Sequence, residues 1–498
     1  MNRERLTTRL LEILPGFFSW NLILFTYWGI YFIPEVAAYV ILFFNLYWFY
    51  QSLHVAVSAI ISHIRIQAAI NYDWLGDLKT FPDWKKAHNF VIVPTVNEPM
   101  HIIERTLDAL ASQTLPMEQI TVVLAQEAKV PEEIRVPKTE YLKKKYDKAF
   151  ANFFVTNHVL LPGEVRGKAS NERYAAIEAR KKFIDLPRRK AGTGKVDMNY
   201  SIVTSCDCDH KFHPNHFAAL TFKFLDNPER YKHFWQPAVL FYNNIWALPA
   251  ITRVVNTLNS IWNLSLLARK DRLINSQNYS LSFRLLDRAG YWDADKIPED
   301  WGIFFKALFE VGNGVEVEPI YLPLFADSAQ STTTWKTLKL NYEQLRRWAY
   351  GVSDTPWMIK NYFTKKNVSF WDKTTRMVYA LWSHFMWPVN WFLITVGITL
   401  PTLVFNPAFG RTTLGYMVPK ISSFVLTISL VFLLTTLVVD YFYKPKLEKN
   451  YLWRVITTPF EFILMPIAGF FFSALPGLDA HTRLMIGKYL EYKVTEKV

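Results

Sequence analysis

Tyr200-Ser201-Ile202-Val203-Thr204-Ser205-Cys206-Asp207-Cys208-Asp209-His210 runs from an apolar, β-branched segment straight into charge. The first part predicts a buried strand. Asp207 and Asp209 are alternate residues, so in extended chain both face one side. Two carboxylates at the end of a buried strand are costly unless partnered. A divalent cation bridging to a diphosphate supplies such a partner, and Mg²⁺ and Mn²⁺ favour these oxygen ligands. A plain capped turn, with Asp209 helping to start a helix near 214, accounts for the same residues without a ligand. A zinc site built from Cys206, Cys208, His210, His213 and His216 is a third reading, but their spacing matches none of the usual zinc patterns.

Outward from this stretch, strands and helices alternate. Phe90-Val91-Ile92-Val93 is a β-type run broken by Pro94, and Ile120-Thr121-Val122-Val123-Leu124 is a second. Residues 101–113 read as a helix with Ile102, Ile103, Leu107, Leu110 and Ala111 on one side. A basic helical stretch near 139–149, a short strand near 152–156 and a helix over 169–184 follow. This order predicts a mainly parallel α/β sheet, in which ligands sit at the carboxyl ends of strands.

Polar residues stand at those ends. Pro94-Thr95-Val96-Asn97-Glu98-Pro99 follows the first strand, as an ordinary turn or as a donor of polar groups to a nucleotide. Arg166-Gly167-Lys168-Ala169-Ser170-Asn171 opens the helix at 169–184, where a Gly-Lys pair suits an anion. It is not a P-loop, because the upstream glycine and the following Lys-Ser/Thr pair are missing. Pro298-Glu299-Asp300-Trp301 precedes an amphipathic helix. Asp300 reads either as its N-cap or as a general base at a cavity edge, kept ionised by the helix N-terminus. Gln344-Leu345-Arg346-Arg347-Trp348 groups a guanidinium pair suited to a diphosphate with an indole suited to a sugar face. The same five residues would also fit a basic helix end at a membrane surface.

The chain has 498 residues, 51% hydrophobic and 16% aromatic, yet 20% charged. That mixture predicts a membrane protein carrying a substantial aqueous domain. The formal charge of +13 suits anionic lipid or an anionic small substrate. No basic tail or low-complexity tract points to nucleic acid. The two cysteines, Cys206 and Cys208, are poorly placed to pair with each other, which suggests a reducing, cytosolic setting.

Apolar stretches at about 16–33 and 36–61 predict an N-terminal hairpin of two spans within 1–63, both ends cytosolic by their flanking charge. A polar linker is expected over 64–88, an α/β domain over 89–334, and interfacial helices over 335–375. Two further spans fall within 376–443, at 376–405 and 418–442. Residues 444–480 hold a basic connection and an apolar stretch, 455–475, whose Pro459 and Pro466 favour a re-entrant or interfacial path. Residues 481–498 form a polar, basic tail.

Taken in order, Asn97-Glu98, Lys168 with Asn171, Asp207-x-Asp209, Glu299-Asp300 and Gln344-x-x-Arg347-Trp348 resemble the membrane-integrated family 2 glycosyltransferases. These include the cellulose, chitin and hyaluronan synthases and the mannan synthase-like enzymes. The resemblance covers about residues 89–355, and Tyr492-Lys493-Val494-Thr495-Glu496-Lys497 is similar to the family's FxVTxK gating loop. It implies a cytosolic α/β GT-A domain inserted between helical transmembrane segments. It also implies an inverting transfer of sugar from a nucleotide-sugar, a UDP-sugar above all, with Mg²⁺ or Mn²⁺.

By the resemblance, Asp209 ligates the metal, with Asp207 on metal or donor. Asp300 acts as base beside Glu299. Asn97, Glu98, Lys168, Asn171, Arg346 and Arg347 serve the nucleotide and its diphosphate. Gln344 and Trp348 shape the acceptor site, and Thr495 and Lys497 close over the donor. Where the family carries Asp residues that read uridine, this chain has Ala125-Gln126-Glu127-Ala128, and Glu127 takes that place. The implied partners are a saccharide or lipid-linked acceptor, the bilayer of a plasma or inner membrane, and a second copy of the chain. A non-processive transferase acting on a lipid acceptor, or a transporter or scaffold with a degenerate nucleotide domain, would carry much of the same sequence.

Overall fold

The computed structural model describes residues 3–185, 196–397, 399–446 and 451–491. The strands are β1 (His88–Thr95), β2 (Ile120–Glu127), β3 (Asn152–His158), β4 (Ser201–Ser205), β5 (Lys211–Phe212), β6 (His233–Leu240), β7 (Ser280–Ser282) and β8 (Glu316–Phe325). They form one sheet in the order β3-β2-β1-β4-β7-β6-β8-β5. β1 pairs in parallel with both β2 and β4, and β2 with β3. β7 is antiparallel to both β4 and β6, β6 is parallel to β8, and β5 is antiparallel to β8. The sheet is therefore mixed, where the alternation of elements alone predicted a mainly parallel one. The short β7 lets β6 and β8 run in the same direction as β1 to β4.

β1 and β2 are buried on both faces, which is why they read as unbroken apolar runs. Alternate residues feed opposite cores. Phe90, Ile92, Val123, Ala125 and Val203 pack with Ala169, Ala175 and Ala176 of helix Lys168–Arg180. Val91, Val93, Val122, Leu124 and Ile202 pack with Ile103, Leu107 and Leu110 of helix Met100–Ala111. Each such buried aliphatic contributes about 1.5–3 kcal/mol. A one-residue register slip would reverse every one of these contacts.

Among the described residues, four helical stretches are long and apolar enough to cross a membrane: Glu4–Phe32, Pro34–Ile70, Thr413–Tyr441 and Ile456–Ile486. Helix Pro34–Ile70 is 37 residues long, about 55 Å at 1.5 Å per residue. It continues through the first part of the expected linker 64–88, because Ile66, Ala69 and Ile70 go on finding apolar neighbours. Ala59 and Ile66 pack against Ala238 and Leu240 at the end of β6. Helix Thr413–Tyr441 runs parallel to it, with Val418 beside Ile41, Asn45 bonded to Ser422, and His63 bonded to Tyr443. It too ends at the sheet, where Tyr242 donates to the Asp440 carboxylate and Lys444 lies 2.6 Å from the same group.

The stretch 376–405, which hydropathy offers as one span, is divided among Phe370–Met386, Asn390–Thr395 and Thr399–Phe405, with Pro388 at the first break. The stretch 455–475 is interrupted as its prolines suggest. Helix Tyr451–Glu461 passes through a 3₁₀ turn, helix Met465–Gly469 and a π turn before helix Leu475–Ile486. Glu461 accepts a two-pronged contact from Arg253 of helix Ala250–Leu267, which packs on β6. Helices Pro34–Ile70 and Thr413–Tyr441 thus meet the sheet at the carboxyl ends of β6 and β8.

Candidate active site

The loop after β4 carries Asp207, Asp209 and His210 because the strand delivers it to the sheet's carboxyl edge. Its backbone is held from three elements. Thr106 donates to the Cys208 carbonyl at 2.8 Å, while Arg105 (3.4 Å) and Asn243 (3.3 Å) reach the Asp209 carbonyl. Asn278 accepts from the Asp207 N–H at 2.8 Å. Arg105 is itself fixed by Asp327, just beyond β8.

Asp207, Asp209 and His210 come together, with one donor atom of each within 4.8 Å of the others. His210 Nδ1 is 3.1 Å from Asp209 Oδ1, and Asp209 is only 1% exposed. Two carboxylates and one imidazole in this space fit a hard or borderline divalent ion such as Mg²⁺ or Mn²⁺. The zinc reading loses its set. Cys206 and Cys208 are buried in the apolar core, His213 accepts from the Asn215 N–H, and His216 packs on Phe212 and Phe217.

Lys168 joins this group to the next. Its Nζ lies 3.0 Å from Asp207 and 2.9 Å from Glu299, and 4.0 Å from both Asp300 and Glu172. Burial alone would lower its pKa, yet the Asp207, Glu299, Glu172 and Asp300 charges hold it well above the ordinary lysine range. Glu172, one turn along the same helix, is fully buried and accepts from Ser205 Oγ at 2.6 Å. Burial pushes its pKa up to about 8 against the pull of Lys168.

Asp300 is the first residue of helix Asp300–Val311. The Gln277 N–H donates to its Oδ2 at 3.2 Å, and Asn275 donates to its carbonyl at 2.7 Å. Burial, and after it the Glu299 charge, raise its pKa well above the usual carboxylate value, Lys168 notwithstanding. The helix N-terminus favours the ionised form, but desolvation and not the dipole sets the direction of the shift. Gln277 and Asn278 both have positive φ (25° and 53°), and strain of that kind is retained where a site over-determines the backbone.

The remaining expected residues divide. The Glu98 carboxylate closes its own turn, accepting from Thr95 Oγ1 at 2.7 Å and Val96 N–H at 2.8 Å, and Asn97 beside it is exposed. Asn171 is buried and donates to the Ala125 carbonyl at 2.8 Å, pinning its helix to the end of β2. Glu127 is buried and pairs with Arg166 at 2.7 Å. On helix Thr334–Ala349 the period separates the motif. Gln344, Arg347 and Trp348 share one face, and Trp348 packs near Phe241, ring centres 5.9 Å apart, just past β6. Arg346 turns aside to Asp479 of helix Leu475–Ile486 at 2.9 Å. Thr495 and Lys497 lie outside the described residues.

No protein-family model matches the chain, and no curated protein matches it. Solved structures with similarity include a mannosyltransferase, PcManGT, from Pyrobaculum calidifontis in complex with GDP-Man and Mn²⁺. It is 13% identical over 84% of this chain and 99% of that chain, with a TM-score of 0.45. S. aureus TarS 1–349 in complex with UDP is 14% identical over 69% of this chain and 91% of that chain, with a TM-score of 0.35. GalNAc-T7 with UDP, GalNAc and Mn²⁺ is 12% identical over 60% of this chain and 58% of that chain, with a TM-score of 0.35.

Proposed function

We propose that this chain is a membrane-bound, metal-dependent, inverting glycosyltransferase that moves a sugar from a nucleotide-sugar to the hydroxyl of a saccharide or lipid-linked acceptor. One observation carries the reading. Lys168 bridges a metal-type group, Asp207, to a base-type group, Glu299 with Asp300, at one sheet edge. A transferase of this kind needs both groups a few ångströms apart, because diphosphate departure and acceptor attack happen at one carbon.

Asp207, Asp209 and His210 would hold the divalent ion, which when bound neutralises the diphosphate charge. Asp300 takes the proton from the acceptor hydroxyl as its oxygen attacks the anomeric carbon, and the bond to the nucleoside diphosphate breaks on the opposite side. Asp300 acts in its ionised form, and the raised pKa makes that carboxylate a stronger base than an ordinary one. Arg347 offers a bidentate partner to the leaving diphosphate, and Trp348 offers a flat apolar face beneath the acceptor ring.

The test is nucleotide release by the purified full chain in lipid, with Mn²⁺ or Mg²⁺ and each common nucleotide-sugar. We expect turnover with at least one donor, abolished by chelator and lost in Asp300→Asn. Nucleotide binding without turnover of any donor, or full rate in Asp300→Asn, would overturn the reading.

A further inference from the structure

Far from the sheet, helices Pro34–Ile70 and Thr413–Tyr441 and the broken segment at 390–405 enclose a groove of about 400 Å³. Asn45 lies 11 residues into the first helix and Ser422 9 residues into the second, about 17 and 14 Å from their ends remote from the sheet. Asn45 therefore lies well inside the apolar part of the first helix, and Ser422 stands at the start of the apolar run that follows Lys420 in the second. Half its wall is aliphatic, with Ile41, Leu393, Leu426 and Leu430. The other half is polar and uncharged: Asn45, Thr395, Thr399, Ser422, Ser423 and Thr427.

Polar groups at membrane depth are retained where they meet a partner. Asn45 is 1% exposed and donates to Ser422 Oγ at 2.7 Å, but its Oδ1 has no partner. Thr427 donates back to the Ser423 carbonyl at 2.8 Å, which leaves its oxygen able to accept. Helix Asn390–Thr395 stops at the groove, and a Cβ at Gly397 would stand 2.4 Å from the Leu393 carbonyl oxygen. Interrupted helices at membrane depth are where binding sites are built.

We infer that this groove binds a neutral lipid bearing hydroxyl groups, the head against Asn45, Ser422 and Thr427 and the alkyl chain along Leu426 and Leu430. Among the described residues no charged side chain lines the groove, which argues against a phosphate head, since that needs cationic donors. The absence of an aromatic lining residue argues against a saccharide, whose rings favour stacking on one. Ser423, Thr427, Thr395 and Thr399 are exposed, so the groove opens sideways, the direction from which a lipid arrives. The inference stands on this geometry alone and does not depend on the reading of the active site.

The test uses the full chain in nanodiscs carrying a photoreactive, alkyne-tagged diacylglycerol, with the same tag on phosphatidylcholine and on a soluble oligosaccharide as separate arms. Labelling is mapped by mass spectrometry. We expect diacylglycerol adducts concentrated on 390–405 and 413–441, reduced about threefold to tenfold in Thr427→Val and Asn45→Leu, the loss of one or two hydrogen bonds. Thr427→Val is nearly isosteric at an exposed position and keeps the test valid if Asn45→Leu loosens the helix pair. Equal labelling by phosphatidylcholine, labelling by the oligosaccharide instead, or adducts unaffected by Thr427→Val would overturn the inference. So would disulfide-linked dimers from Ser423→Cys in the bilayer, which would place a second copy in the groove.

Discussion

Lys168 Nζ stands 3.0 Å from the Asp207 carboxylate and 2.9 Å from that of Glu299. One ammonium thus holds together two loops that lie far apart in sequence. Replacing it with methionine removes the ammonium that Asp207, Glu299, Asp300 and Glu172 share. We expect Lys168→Met to cost about 3–5 kcal/mol at neutral pH, the range for breaking a buried pair. The loss should shrink as the pH falls and the carboxylates take up protons. Thermal inactivation midpoints of wild type and Lys168→Met at pH 5 and pH 7.5 check this, and an equal loss at both would contradict it.

Glu172 gives a second pH signature. Its pKa in the folded protein is about 8, against 4.5 for an ordinary glutamate, because it is buried. Its contribution to stability is fully present below pH 4.5 and is lost as the pH rises through about 8. Ionisation also adds a charge 4.0 Å from Lys168, competing with Asp207 and Glu299 for it. Glu172→Gln keeps an acceptor for Ser205 and cannot ionise. The expected outcome is wild-type rate at pH 7 and a flatter alkaline limb in the pH–rate profile. An unchanged alkaline limb would remove Glu172 from the account.

The sequence suggests a diphosphate ligand in Arg346, but its guanidinium meets Asp479 at 2.9 Å, which also receives Arg483 at 2.6 Å. The pair ties helix Thr334–Ala349 to helix Leu475–Ile486. We expect Arg346→Ala and Asp479→Ala each to destabilise by about 1 kcal/mol, with the double variant little worse than either, the coupling of a direct contact. Arg347→Ala should instead lower the rate of nucleotide release. Additive losses at Arg346 and Asp479 would show that the contact carries no energy.

Much of this was legible in the sequence, and the misses have physical causes. β1, β2 and β4 announce themselves as short apolar runs because both of their faces are buried. β6 and β8 do not, because Pro237 lies in one and Pro319 and Pro323 in the other, and proline argues against a strand inside a sheet. Here β6 and β8 shift register at Pro237/Ala238, which accommodates them. The Asp-x-Asp pair is visible from its spacing, whereas His210, next in line, groups in sequence with the cysteines. Glu172, Gln277 and Asn278 carried no local signal at all. They reach the site through packing, and a buried glutamate mid-helix looks in sequence like any solvated one. The partner of Arg346 is 133 residues away, beyond any periodicity.

Asp354 supplies the last prediction, since it is buried beside Lys296 at 3.5 Å and distant in sequence from the carboxylates of the site. Burial raises its pKa from 3.8 to about 6, with Lys296 opposing. The folded chain therefore holds this proton more tightly than the unfolded chain does. The associated stability is complete below pH 3.8 and is lost as the pH rises through about 6. A shift of this size corresponds to about 3 kcal/mol at 1.36 kcal/mol per unit. Asp354→Asn carries no such proton, while Lys296 keeps Asp293 at 3.1 Å. The difference in inactivation midpoint, variant minus wild type, should rise as the pH goes from 4 to 7, by several degrees for a shift of this size. A difference that stays constant over that range would mean that Asp354 is charged throughout and that Lys296 outweighs its burial.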